Sequence, residues 1–310
     1  MSLVFDSGLS LYRKTLKRIR PIHIALHWAS TRLLIPLLQM MTGFKTMPDD
    51  PFWFRLELLI NRHEKETIAQ IDKLVKPGMV VLDIGAHVGY YARRCARLVG
   101  DEGRVVCFEP HPRTFKMLTN NVSRYGNVLA AQVAVADQEG TAELYDYLMM
   151  SASGSLHYDE ALRDLQKAHT SDGDVAPRLA RDLPVEKFTV RTTPVDNLLA
   201  EQGIERVDVI KMDIEGAEII ALRGMRKTIQ NADRLHLIME YNPQALHASG
   251  LQPEAALQEV TAMGFSLVYA IETDGTLTNF TDDAAALEKR TAALMEHMDV
   301  INLLFIRDET

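Results

Sequence analysis

The stretch Val80-Val81-Leu82-Asp83-Ile84-Gly85-Ala86-His87-Val88-Gly89 decides the fold. An apolar run ends in an acid, two glycines bracket a tight turn, and a helical period begins at Tyr90. In an open α/β sheet this is a strand passing into a helix through a ligand-binding turn. Glycine in such a turn lets backbone amides approach a ligand closely. The spacing is G-x-x-x-G with an acid two residues earlier, not the G-x-G-x-x-G of dinucleotide folds. Asp83 would repel a pyrophosphate but can stabilise an α-ammonium group, so a nucleotide dehydrogenase is disfavoured.

Working outward, β-rich runs at 79–83, 104–109, 128–133, 207–213, 235–241, 265–271 and 300–307 alternate with helical periods. Those periods cover 90–98, 113–125, 195–202, 217–224 and 253–263. The alternation predicts a doubly wound α/β domain with a mostly parallel seven-stranded sheet and helices on both faces. The last two strands have no helix that must cross the sheet between them, which fits an antiparallel end pair. Extra strands are predicted at 142–147 and 188–192, flanking an irregular insertion over 149–184. That insertion reads either as a lid or acceptor pocket or as a surface excursion. The segment 272–299 is acidic and helix-prone.

With 310 residues, 47% of them apolar and 25% charged, the chain is long enough for one large core plus an appendage. A net charge of −8 argues against a general nucleic-acid binder. Between Ser7 and Pro48 there is no acid, while Arg13, Lys14, Lys17, Arg18, Arg20, Arg32 and Lys45 are basic. These seven cations leave −15 on the remainder, so the two parts differ in kind. We therefore divide the chain into a helical N-terminal extension, 1–62, and a catalytic domain, 63–310. The extension reads as helices interrupted by Pro21, Pro36 and Met47-Pro48-Asp49-Asp50-Pro51. His23, His27 and Ser30 share one face; Ile22, Leu26, Ala29 and Leu33 share another. One reading is a cap on the core or on a second subunit, the commoner fate of an amphipathic helix. The other is an interfacial helix that meets anionic lipid. Polar residues make 22–41 a poor spanning helix. No signal-peptide pattern is evident, and Cys95 and Cys107 stand alone in apolar runs. They read as buried free thiols in a reducing, cytoplasmic compartment, with membrane association left open.

The second strand ends at Glu109-Pro110, twenty residues after Gly89. An acid there can grip both ribose hydroxyls of an adenosyl group, or serve only as a helix cap. Asp83 for an ammonium and Glu109 for a ribose on adjacent strands together describe S-adenosylmethionine. Gly85, Ala86, His87 and Gly89 would line its binding turn, and Ala134 in Ala134-Val135-Ala136-Asp137 would border the adenine.

The chain resembles the FkbM family of methyltransferases over roughly 64–308. The resemblance rests on the 81–89 block, on Phe108-Glu109-Pro110, on 133–140 and on Thr193-Pro194-Val195-Asp196-Asn197-Leu198-Leu199. Most specific is Val209-Ile210-Lys211-Met212-Asp213-Ile214-Glu215-Gly216-Ala217-Glu218, followed by Leu222 and Gly224. His87 and Val195 stand at variable positions of these motifs, and the first 62 residues fall outside them. The resemblance implies a class I, Rossmann-like methyltransferase fold and transfer to a hydroxyl group, often on a sugar or polyketide.

An aliphatic hydroxyl is a poor nucleophile and needs a base or a metal to take its proton. Period-two alternation places Lys211, Asp213 and Glu215 on one side at the carboxyl end of the fourth strand. Asp213 is the leading catalytic candidate and also borders the cofactor; Lys211, Glu215 and Glu240 are the others. Glu218 opens the next helix, where capping explains an acid. Asp213, Glu240 and Asn242 are the candidate oxygen ligands for a magnesium-type ion. The acceptor is predicted to be a hydroxylated small molecule, sugar or lipid headgroup. An amine acceptor and a non-catalytic, membrane-associated adaptor are the alternatives, and homo-oligomerisation is compatible with the sequence.

Overall fold

The computed structural model describes residues 30–147, 151, 154–158 and 185–308. The expected helix faces at 22–29 and most of the 149–184 insertion lie outside the described residues. The chain divides into two compact units, residues 1–63 and 64–310.

In the first unit, helical residues Ser30–Leu34 run into helix α1 (Ile35–Thr42), and α2 (Phe52–Leu59) follows. Pro36 lies in the first turn of α1, where its missing N–H breaks no helical bond. Gly43, at φ 59°, ends α1 in the left-handed conformation that glycine adopts without strain. Thr46 Oγ1 accepts from Gln39 Nε2 and from Arg55 Nε, both at 3.0 Å, tying the α1–α2 connection to both helices.

The second unit opens with α3 (Lys65–Leu74), followed by β1 (Val80–Ile84), α4 (Tyr90–Val99), β2 (Arg104–Phe108), α5 (Pro112–Val122) and β3 (Val128–Ala131). After an intervening stretch come α6 (Val195–Glu201), β8 (Val209–Met212), α7 (Glu218–Arg223), α8 (Arg226–Gln230) and β9 (Arg234–Tyr241). The chain closes with α9 (Pro243–Ala248), α10 (Pro253–Ala262), β10 (Leu267–Ile271), β11 (Leu277–Asn279), α11 (Ala284–His297) and β12 (Ile301–Asp308). The main sheet runs β11-β10-β12-β9-β8-β1-β2-β3. Strands β3, β2, β1, β8 and β9 are parallel neighbours, whereas β12 runs antiparallel to both β9 and β10. The expected seven strands are present, and the antiparallel end pair is β12 with β10. Strand β11 is an eighth, three residues long and fully exposed, too short to show any periodicity.

Strands β4 (Ala134–Val135), β5 (Gly140–Asp146), β6 (Gly154–Ser155) and β7 (Glu186–Thr193) form a separate four-stranded sheet in the order β4-β7-β5-β6. The strands predicted on either side of the insertion are therefore partners of each other, pairing antiparallel from Gly140↔Thr192 to Asp146↔Glu186.

β1 and β8 are buried throughout apart from Val80, as central parallel strands must be. The large apolar cluster joins Leu82, Val106, Ile210 and Leu237 of the sheet to Leu198, Leu222, Leu246 and Leu257 of the helices. Cys95 and Cys107 are buried free thiols. The chain goes from β1 to β2 on one side and reaches β8 on the other, so the strand order reverses at β1. The crevice beyond the carboxyl ends of β1 and β8 is the point where such sheets bind ligands.

Candidate active site

A cleft opens at that switch point, walled by Gly85 and His87 of the first turn, Glu109 and Pro110 after β2, Ala134 of β4, and Asp213. Of the residues expected at the cofactor turn, Gly85 and His87 line the cleft, whereas Ala86 and Gly89 are not among its lining residues. Glycine at 85 has a reason in the backbone itself. Gly85 has φ +79°, and a Cβ there would lie 1.9 Å from the carbonyl oxygen of Asp213. The close approach it permits is between the β1 turn and the end of β8. The amides of Gly85 and Ala86 both donate to Phe108 O at 3.0 Å, fastening the same turn to β2. His87 takes the left-handed conformation at φ 51°, uncommon for a side chain with a Cβ, and its N–H donates to Glu109 Oε2 at 2.9 Å.

Glu109 receives a second backbone amide, from His111 to Oε1, also at 2.9 Å. Burial pushes its carboxyl up to about 7, against the pull of those amides and of His111. A carboxylate accepts about four hydrogen bonds, so two sites remain for ribose hydroxyls. His111 is itself held in place. Its Nδ1 accepts from the amides of Arg113 and Thr114, capping α5, and Nε2 lies 3.1 Å from Asp146 Oδ2 of the small sheet. With Nδ1 accepting, the neutral ring carries its proton on Nε2 and donates it to Asp146. Neither partner was foreseen, because a histidine after proline and an acid ending a strand are common in isolation.

Asp83 is buried, and its Oδ2 has no hydrogen-bond partner. Burial raises this carboxyl to about 7, while Lys211 and the amide of Ala92 pull it down. Asp83 is not itself among the residues lining the cleft, but an unsatisfied buried carboxylate oxygen one residue before Ile84, which does line it, fits a donor such as an α-ammonium group.

Toward the acceptor end, Lys211 faces Asp83 across the β1–β8 register, and its Nζ lies 3.0 Å from Asp213 Oδ2. It also sits 5.1 Å from the centre of the Tyr91 ring, a cation–π distance. Burial would lower the ammonium of Lys211, but Asp213, Glu64 and Glu240 hold it well above its usual value. Lys211 and Asp213 thus meet as the alternation predicted. Glu215 arrives by another route: the strand ends at Met212, and Glu215 has a left-handed φ of 52°. Its carboxyl accepts from Asn242 Nδ2 at 3.3 Å and is pushed up to about 8 by burial and by Asp213 and Glu218. Burial, with Asp213 and Glu215 nearby, also raises Glu240 well above the usual carboxylate range. Glu218 accepts from the amides of Ile214 and Gly216 at 3.2 Å each, so it braces the turn entering α7.

The metal candidates Asp213, Glu240 and Asn242 lie in the following surroundings. The carbonyl oxygen of Asn242 is engaged as the cap of α9, accepting from Ala245 N at 3.0 Å, and its amide is used on Glu215. Among the described residues, the acids whose oxygens gather within 4.8 Å are Glu64, Asp213 and Glu240. Glu64 gives no local signal in the sequence. It precedes α3 at φ 41° and accepts from Tyr91 Oη at 2.7 Å and from Asn302 Nδ2 at 3.1 Å.

The described ends of the insertion close on this cleft. Ser151 Oγ lies 2.6 Å from His87 Nε2, Ser155 Oγ donates to the carbonyl of Glu215 at 2.9 Å, and Leu156 lines the wall.

A doubly wound sheet with this strand order, a buried acid after β2 and an acid–lysine pair at the end of β8 is the arrangement of a class I methyltransferase dependent on S-adenosylmethionine. Within that class the chain belongs to the FkbM family, whose methyltransferase FkbM domain profile matches residues 83–267. The 2-O-methyltransferase NoeI of Sinorhizobium fredii is 28% identical over 193 residues, 60% of this chain and 73% of that protein. The 31-O-demethyl-FK506 methyltransferase FkbM of Streptomyces tacrolimicus is 31% identical over 163 residues, 49% of this chain and 61% of that protein. The hexuronic acid methyltransferase AglP of Haloferax volcanii is 24% identical over 174 residues, 56% and 60% of the two chains. Among solved structures, a SAM-dependent methyltransferase from Aquifex aeolicus aligns over 78% of this chain and 89% of that chain, at 12% identity and a TM-score of 0.39.

Proposed function

We propose that the protein transfers a methyl group to a hydroxyl of a sugar, a lipid headgroup or a natural-product small molecule, with Asp213 as the base. The observation that carries this reading is the Lys211–Asp213 pair at the mouth of the cofactor cleft. Asp213 is the acid that Lys211 contacts directly, and its side chain is 29% exposed. Burial pushes Glu215 up to about 8, so it holds a proton near neutral pH, and burial with Asp213 and Glu215 nearby also raises Glu240 above the usual carboxylate range. The names of the relatives NoeI and FkbM include O-methyl transfer, which supports a hydroxyl acceptor.

S-adenosylmethionine, when bound, supplies an electrophilic methyl on a sulfonium. Glu109 would hold the ribose and Asp83 the α-ammonium, with Gly85, His87, Pro110 and Ala134 lining the cleft and Ala86 and Gly89 belonging to the same turn. Asp213 accepts the proton of the acceptor hydroxyl as its oxygen takes the methyl, and Lys211 fixes the direction of that carboxylate. The productive geometry comes from holding both reactants in line.

A divalent cation on Glu64, Asp213 and Glu240 is the second reading, because three carboxylate oxygens within 4.8 Å are suitable hard donors. Lys211 already supplies positive charge to that group, which favours the base. Asp213→Asn, nearly isosteric, tests both readings. With an acceptor in hand, methyl-transfer rate is expected to fall at least about a hundredfold, the scale of a lost acid–base group. EDTA should leave the wild-type rate unchanged. Loss of activity to EDTA with recovery on magnesium transfers the role to a metal; near-native turnover by Asp213→Asn removes Asp213 from the chemistry.

A further inference from the structure

The helical run from Ser30 through Thr42 buries Ile35 but leaves most of its other large apolar side chains exposed. Leu33, Leu34, Leu37, Met40 and Met41 are between 39% and 75% exposed. Their spacing of i, i+1, i+4, i+7 and i+8 gathers them into one stripe along the helix. Scattered exposed leucines need no explanation, but five large apolar side chains on one helical stripe are a contact surface. The exposed cations Arg32 and Lys45 stand at its two ends.

We propose that this stripe docks the protein on an anionic phospholipid surface, the helix lying in the plane of the interface. Charge identifies the occupant. Seven Lys and Arg residues and no acid fall between Ser7 and Pro48, in a chain that is otherwise acidic. A second copy seated on the same stripe would bring like-charged segments together, whereas an anionic headgroup layer complements them. The thirteen helical residues described, 30–42, extend roughly 20 Å, short of the ~30 Å hydrocarbon core. No helix among the described residues is long and apolar enough to cross a membrane. An apolar stripe of leucine and methionine flanked by basic residues is the composition of a helix held at a lipid interface.

The test is co-sedimentation of the full-length protein with vesicles of phosphatidylcholine alone or mixed with phosphatidylserine. We expect binding to the mixed vesicles, weaker by at least about tenfold on phosphatidylcholine alone and weakened by added salt. The triple variant Leu37→Ser/Met40→Ser/Met41→Ser alters only exposed side chains. It should keep its circular dichroism spectrum and its affinity for S-adenosylhomocysteine while losing at least about tenfold in vesicle binding. Failure to bind, equal binding to neutral and anionic vesicles, or undiminished binding by the triple variant overturns the proposal. A dimer by light scattering that the triple variant converts to monomer also overturns it, and gives the stripe to a second copy.

Discussion

Replacing Glu109 by alanine tests the proposed hold on the cofactor ribose. In the structure the carboxylate is fixed by two backbone amides at 2.9 Å, which leaves it oriented before any ligand arrives. Two charge-assisted hydrogen bonds to ribose hydroxyls, at about 1.5 kcal/mol each, amount to about 3 kcal/mol, or roughly a hundredfold in affinity. Ionisation modifies that figure. With its carboxyl pushed up to about 7, Glu109 is half protonated at neutral pH, so the full effect is read at pH 8. Below about pH 7 the wild-type protein must release a proton from Glu109 to accept both hydroxyls. Affinity for S-adenosylhomocysteine therefore weakens as pH falls, and Glu109→Ala should lose one proton's share of that slope. Titration calorimetry of both proteins from pH 6 to 8 gives affinity and slope together. A folded Glu109→Ala protein that binds within about threefold of wild type at pH 8 would refute the ribose assignment, since no pair of charged hydrogen bonds is worth so little.

The backbone reading of Gly85 predicts that Gly85→Ala costs at least about 2 kcal/mol, because the new methyl meets the Asp213 carbonyl at 1.9 Å in a left-handed turn. Urea denaturation with an unshifted midpoint would contradict it. The ligand-free protein should lose stability as pH rises from about 5 to 8. Burial lifts Asp83, Glu109 and Glu218 to about 7 and Glu215 to about 8, so the folded chain holds protons that the unfolded chain has released. Each contributes a fall of up to about 1.4 kcal/mol per pH unit within its window. A thermal midpoint that climbs over that range would show that these carboxyls are not desolvated as described.

What the sequence makes legible is what repeats along the chain or is set by short range. Alternation of buried strands with helical periods shows the doubly wound sheet, and the acids at strand ends are found because a parallel sheet collects those ends at one edge. Asp83, Glu109, Lys211 and Asp213 are all of this kind. Glu64, Tyr91 and Asn302 are not. They come from the approach to the first helix, from the helix after the glycine turn and from the last strand. Their meeting depends on the antiparallel insertion of β12 beside β9, which pairs Asn302 with Glu240. Asn242, which follows a strand-end acid, also caps the helix beginning at Pro243 with its carbonyl, a local demand any Asn before a helix start can meet. The separate small sheet was hidden for a related reason: β4 and β6 are two residues each, and only their partners give them strand character.

The charge arrangement at the acceptor end bears on which nucleophile the site favours. Glu64, Asp213, Glu215 and Glu240 surround a single buried cation, Lys211, so the cluster has more acidic groups than basic ones. An amine acceptor entering beside these acids would be stabilised as its ammonium form, which has no lone pair to offer. The site would then oppose the deprotonation that N-methylation requires. A hydroxyl acceptor is neutral on entry, pays no such penalty, and finds in Asp213 a carboxylate already directed by Lys211. Glu215, pushed up to about 8, can donate a hydrogen bond to another oxygen of a polyhydroxylated molecule. The same arrangement that impedes an amine therefore assists an alcohol, and this asymmetry supports O-methylation from the electrostatics of the chain's own residues.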